Sequence, residues 1–134
     1  MLRAHSSLTR ALDAELISAH GLPLSSYEVL LFLADAAGGR MRMAELADSV
    51  LLSRSGLTRL VDRLERDGLI RREPCEDDAR GWFAAITPAG WELFEAARRT
   101  HLDGVRERFL DHFTRDELRA LGDLWERVAP GAAS

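Results

Sequence analysis

Between Ser53 and Gly90 the chain changes its periodicity twice, and few folds accommodate that order. In SRSGLTRLVDRLERDG, Leu57, Leu60, Val61 and Leu64 recur at helical spacing and, at about 100° per residue, share one face. Ser55, Arg59, Asp62 and Arg66 fall opposite, with Thr58 and Arg63 on the flanks. Ser53 is placed to cap this helix and Gly68 to end it. The period then becomes extended: LIRRE and WFAAIT are short and rich in branched or aromatic residues, and PCEDDARG between them supplies loop formers. Helix resumes at Thr87-Pro88, with Thr as N-cap and Pro at the first helical position, where its missing N–H costs nothing.

Upstream, Leu8, Leu12 and Leu16 mark an amphipathic helix that ends near Gly21 and Pro23. In PLSSYEVLLFLADAAGG, Ser25 and Glu28 fit a capping box; Val29, Leu30, Leu33, Ala34 and Ala37 carry the helical period, and Gly38-Gly39 stops it. MAELADSV reads as a brief helix preceded by Arg42, where a Ser or Thr would cap better. Downstream, Trp91, Phe94, Ala97, His101, Val105, Phe109 and His112 predict one long helix. Thr114 and Glu117 form another capping box, and Leu118, Leu121, Leu124, Trp125 and Val128 predict a closing helix before Pro130.

Four helices, two strands and two helices describe a mainly α chain with a small β wing. At 134 residues, 1–134 has room for a single domain. We expect a winged helix-turn-helix lobe over 24–90, with 1–20 and 88–129 as dimerisation helices. Those terminal helices are amphipathic with nothing obvious to bury against, and such ends usually meet across a dimer; a monomeric bundle is the other arrangement.

Apolar residues make up 46% and charged residues 30%, within the globular range. No window approaches the roughly 18 apolar residues of a membrane span, and the first residues lack a leader pattern, so a cytoplasmic protein without a membrane partner is expected. Cys75 stands alone and has no internal disulfide partner; Glu76, Asp77 and Asp78 beside it disfavour a thiolate, which makes it a bystander thiol. His5, His20, His101 and His112 lack the tight grouping of zinc ligands, and we expect neither metal nor cofactor. Adjacent carboxylates at 76–78 do not supply the enclosed, differently tuned pair that acid–base catalysis needs, and no phosphate-cradling glycine loop is present, so no enzyme is expected. The net charge is −4, but all 18 basic residues are arginine, the side chain that forks onto phosphates and guanine edges. Between Ser53 and Arg80 seven arginines face seven acids, so anion binding there depends on placement rather than on total charge.

The run from Ala44 to Gly90 resembles the MarR family of bacterial transcription regulators. The matching pieces are ELA in the first helix, S-x-S-x-x-T-R-L-V-D-R-L-E in the second, G-L-I-x-R entering the ribbon, and D-x-R followed seven residues on by T-x-x-G. The last two are Asp78, Arg80, Thr87 and Gly90 here. The sequence departs from the pattern at Ala79, often basic in the family, at Ile86, usually Leu, and at Leu51, often Gly. The resemblance implies a sequence-specific double-stranded DNA-binding transcriptional regulator, a homodimeric repressor on a pseudo-palindromic operator, answering to a small aromatic or anionic effector.

In that frame Arg54 and Arg59 reach bases or phosphates, Ser53 and Ser55 hold phosphates at the helix N-terminus, and Thr58 lies at the groove edge. Arg63 and Arg66 are expected on phosphates. Arg80 is expected in the minor groove, with Asp78 bracing its guanidinium. His20, Tyr27 and Phe32, with Arg10 or Arg42 for an anion, are the candidates for an effector crevice. The same fold without DNA binding would be a protein–protein interaction module.

Overall fold

The computed structural model describes residues 2–50, 52–76 and 78–131, and of 78–80 the backbone only. The helices are α1 (Leu2–His20), α2 (Leu24–Asp35), α3 (Met43–Val50), α4 (Arg54–Arg66), α5 (Pro88–Arg108) and α6 (Arg115–Val128). The strands are β1 (Arg40–Arg42), β2 (Ile70–Cys75) and β3 (Asp78–Ile86), in one antiparallel sheet of order β1-β3-β2. Among the described residues no single helix is long and apolar enough to cross a membrane.

The period change after Gly68 is realised as expected, with a third strand that the sequence did not announce. Gly68 takes φ +76°, which an L side chain rarely adopts, and lets the chain leave α4 for β2. Both strands run longer than expected: β2 extends to Cys75 and β3 begins at Asp78, with a register irregularity at Pro74/Cys75. β1 pairs Arg40 with Ala85 and Arg42 with Phe83. Three residues are too few for a periodic signal, so β1 was legible only through its partner.

The core joins α1, α2, α3, α4, the sheet and α5 through Leu16, Val29, Leu30, Leu46, Leu57 and Phe94, among others. All four apolar residues read on one face of α4 are buried, each worth about 2 kcal/mol relative to exposure. At the sheet exit the Thr87 hydroxyl donates to the Gly68 carbonyl at 2.6 Å, and its N–H donates to the Leu69 carbonyl at 3.1 Å. Gly90 lies so close to that Leu69 carbonyl that a Cβ there would collide with it. The T-x-x-G spacing is therefore a packing requirement where α5 leaves the sheet.

Three expectations need correction. The Ser25–Glu28 capping box is absent: Pro23 is the N-cap, and the first N–H of α2, Leu24, donates to Asp13 Oδ1 of α1 at 2.8 Å. A neighbouring helix supplies the acceptor that a local side chain was expected to give. Ala37 lies beyond α2, in a 3-10 turn. The long helix stops at Arg108 rather than running to His112; Phe109 breaks it at φ −129°, and Leu110–His112 form a 3-10 turn. Phe109 and Phe113, with ring centroids 5.1 Å apart, pack across this corner. The Thr114–Glu117 capping box is present in both directions.

α5 runs along α1, tied by Arg108 to Glu15 at 2.5 Å and by His20 Nε2 to Thr100 Oγ1 at 2.7 Å. It meets α2 through Tyr27, whose ring lies 5.6 Å from Phe94 and 4.7 Å from His101. Burial raises the Tyr27 pKa and lowers that of His101. His101 Nδ1 is buried and has no hydrogen-bond partner among the described residues. By contrast α6 buries none of its residues.

Candidate nucleic-acid interface

The outer face of α4 begins at a satisfied cap. Ser53 Oγ accepts the Gly56 N–H at 3.1 Å and lies 3.3 Å from Ser55 Oγ, so both hydroxyls sit together at the positive end of the helix. Thr58 donates its hydroxyl to the Arg54 carbonyl at 2.8 Å, which ties it to its own helix. All three residues are exposed.

The charges on this face are sorted by pairing. Among the described residues Arg54, Arg59 and Arg63 are exposed and form no ion pair, while Arg66 donates from Nε to the Asp62 carbonyl at 3.4 Å. The Asp62 carboxylate does not pair with Arg66, one turn on; it lies 2.6 Å from Arg72 of β2, which also pairs with Glu65 at 3.2 Å. Two of the acids that made the segment neutral in the sequence, Asp62 and Glu65, are therefore answered from the wing. Among the described residues three guanidiniums on the helix have no ion-pair partner.

Arg72, which closes the G-L-I-x-R run, is not among the contact residues expected from the sequence, although a signal for its role is available. In an extended strand Ile70 and Arg72 share a face. Ile70 is a core residue, so Arg72 is directed towards the same helix. On the other face of the sheet, Glu73 pairs with Arg40 at 3.2 Å and Arg71 at 2.9 Å, and these hydrogen bonds hold its carboxyl below the usual carboxylate range. The Arg40 guanidinium stacks 4.4 Å over Phe83.

The expected brace between Asp78 and Arg80 lies outside the described residues. The backbone of both belongs to β3, which places them at the wing's hairpin end.

The five residues proposed to line an effector crevice are distributed. Tyr27 is core, and Phe32 packs against that core. His20 is engaged with Thr100. Arg10 borders a groove between α1 and α2 together with His5, Asp13 and Glu28. Arg42 borders a different groove of about 390 Å³, between the start of α3, α4 and the wing, with Arg54, Thr58, Cys75 and Trp82. Cys75 is buried there. Among the described residues no group of His, Cys, Asp or Glu is arranged to hold a metal ion.

A helix-turn-helix, a three-stranded wing and an outward arginine face on the second helix define a winged-helix DNA-binding protein. The sequence pattern of the MarR family matches residues 20–81. The transcriptional repressor YetL of Bacillus subtilis is 30% identical over 112 residues, which cover 81% of this chain and 67% of YetL. Among solved structures, Sco3205 of Streptomyces coelicolor, a MarR family transcriptional regulator in complex with DNA, superposes with a TM-score of 0.91 at 37% identity, covering 97% of this chain and 82% of its own. AbsC of the same organism, another MarR family transcriptional regulator, gives 0.90 at 34% identity, with 96% and 86% covered. The chain belongs to the MarR family, and these relatives are transcriptional regulators.

Proposed function

We propose that this chain is a homodimeric, sequence-specific repressor that binds a pseudo-palindromic operator through α4 and the wing. The observation that carries this reading is the free arginine face of α4. Arg54, Arg59 and Arg63 project from a helix capped by Ser53, with the helix's own acids neutralised from β2. From Ser53 to Asp67 the segment is about 22 Å long at about 1.5 Å per residue, enough to cross a major groove. Arg54 and Arg59 read bases or phosphates from the first two turns, and Ser53 and Ser55 hold a phosphate at the N-terminus. Thr58 lies at the groove edge; Arg63 and Arg66 take phosphates further along. Arg80, braced by Asp78, enters the flanking minor groove. Support for DNA as the partner comes from Sco3205, seen in complex with DNA, and support for repression from YetL.

In this reading residues 24–90 form the DNA-binding lobe, and 1–20 with 88–129 form the dimer. The uncovered face of α6 supports that division: Leu124 is 53% exposed, Trp125 41% and Val128 74%. A second copy covers this face and sets two α4 helices about 34 Å apart, one turn of duplex. For a small aromatic or anionic effector, the groove beside Arg42 offers two guanidiniums and the indole of Trp82 next to the DNA face.

The test is an anisotropy titration against duplex from upstream of the protein's own gene. Wild type binds, and Arg59→Ala weakens binding by about 1–3 kcal/mol. Negligible and equal binding by both would instead favour a protein-interaction module.

A further inference from the structure

We propose that Arg72 is the internal counter-ion of the recognition helix. By holding Asp62 and Glu65 from the wing, it leaves α4 a cationic face for duplex phosphates and fixes the wing against that helix. The proposal rests on the DNA-binding reading above and adds to it a residue that acts through others.

Arg72 lies on β2, paired in register with Ala84, and its side chain is 23% exposed. Its Nη2 is 2.6 Å from Asp62 Oδ1 and donates to the Thr58 carbonyl at 3.4 Å. Its Nη1 donates to Glu65 Oε1 at 3.2 Å, and its backbone N–H donates to Glu65 Oε2 at 3.0 Å. One guanidinium thus grips the helix at three positions over two turns, from Thr58 to Glu65. A planar fork satisfies such divergent acceptors, whereas an ammonium concentrates its charge at one point.

With its donors spent on the protein, Arg72 would have to release these acceptors to reach a phosphate. Among the described residues Arg54, Arg59 and Arg63 have no ion pair to give up. The two acids are a different matter. They lie on the same helix as Arg59 and Arg63, Asp62 three residues from Arg59 and Glu65 two from Arg63, and at 0.1 M salt charges within roughly 10 Å of one another still interact. Uncovered, they would repel the backbone that the arginines attract. Arg72 is therefore a positioning and masking residue and not a phosphate contact.

The two roles differ in how a loss is rescued. A short labelled duplex of mixed sequence, titrated at low salt, reads the effect, with elution from immobilised heparin as a DNA-free measure of the same cationic face. Arg72→Ala is expected to weaken duplex binding about tenfold. Adding Asp62→Asn and Glu65→Gln to Arg72→Ala should restore affinity to within about threefold of wild type, since nothing remains to mask. With Arg72 intact, Asp62→Asn/Glu65→Gln should bind several-fold tighter than wild type, a gain that misfolding does not produce. Heparin elution should follow the same order.

The proposal is overturned if the triple variant stays as weak as Arg72→Ala, or if the acid-to-amide double variant binds no tighter than wild type. If wild type ignores duplex while heparin elution keeps this order, the DNA reading falls and the masking role stands.

Discussion

α4 and α6 are the two most clearly two-faced helices of the chain, and they make opposite use of that pattern. Both start from a side-chain cap, Ser53 onto Gly56 and Thr114 onto Glu117. α4 buries Leu57, Leu60, Val61 and Leu64 within its own chain and turns arginines outward. α6 presents Leu124, Trp125 and Val128 to the outside and buries nothing. The difference teaches that an apolar stripe specifies that something must cover it, without saying from which chain the cover comes. For α4 the cover is α3 and the sheet; for α6 it is missing among the described residues.

The sharpest way to break this comparison is to charge the α6 face. Leu124→Glu with Trp125→Glu should convert a two-chain particle into a single folded chain in sedimentation equilibrium, and should abolish operator binding at concentrations where wild type saturates. A wild-type protein that already sediments as one chain at high concentration would remove the distinction between the helices. Next in size is the internal face. Leu64→Ala, fully inside the subunit, should cost about 2–5 kcal/mol in urea unfolding. Leu124→Ala should leave the stability of the separated subunit nearly unchanged, within about 0.5 kcal/mol.

The caps should behave alike despite the unlike faces. Ser53→Ala and Thr114→Ala each remove an acceptor for one N–H of the first turn, at about 1 kcal/mol apiece. A far larger loss at Thr114 would mean that α6 is held by more than its own cap and a partner.

How much of this was written in the sequence follows the same division. Faces and caps were legible wherever the cause is local: the four buried residues of α4, the Ser53 and Thr114 caps, Pro88 at the start of α5. What was illegible depended on a neighbour. α2 takes its first acceptor from Asp13 of α1, so the local Ser25–Glu28 pattern misled. β1 is three residues long and exists because β3 offers an edge. In the interface, the α4 arginines were legible as a face, but their availability was not. Counting seven charges of each sign hid that Arg72 answers two of the acids and that Arg40 and Arg71 share Glu73. The effector residues were the least legible, because an aromatic at helical spacing, such as Tyr27, reads the same whether it lines a pocket or fills a core.

The smallest expected effect concerns the joint between the two regions, where His101 of α5 packs on Tyr27 of α2. Burial lowers the folded-state pKa of His101 below its ordinary 6.5. The unfolded chain then takes up a proton before the folded one does, so stability is fully present above about 6.5, falls as pH drops through that value, and levels off below the folded-state pKa. His101→Phe should flatten this decline in denaturant midpoints compared at several pH values. A decline of unchanged steepness would assign the pH dependence to other groups.

The salt dependence of binding reports whether the outward arginines of α4 meet duplex phosphates. In the proposed dimer three such arginines per chain should contribute about −5 to the slope of log K against log salt, with Arg66 and Arg80 adding to it. Arg54→Ala/Arg59→Ala/Arg63→Ala should make the slope shallower by about that amount, leaving the part due to Arg66 and Arg80. A wild-type slope already near zero, or one left unchanged by that triple substitution, would contradict those contacts.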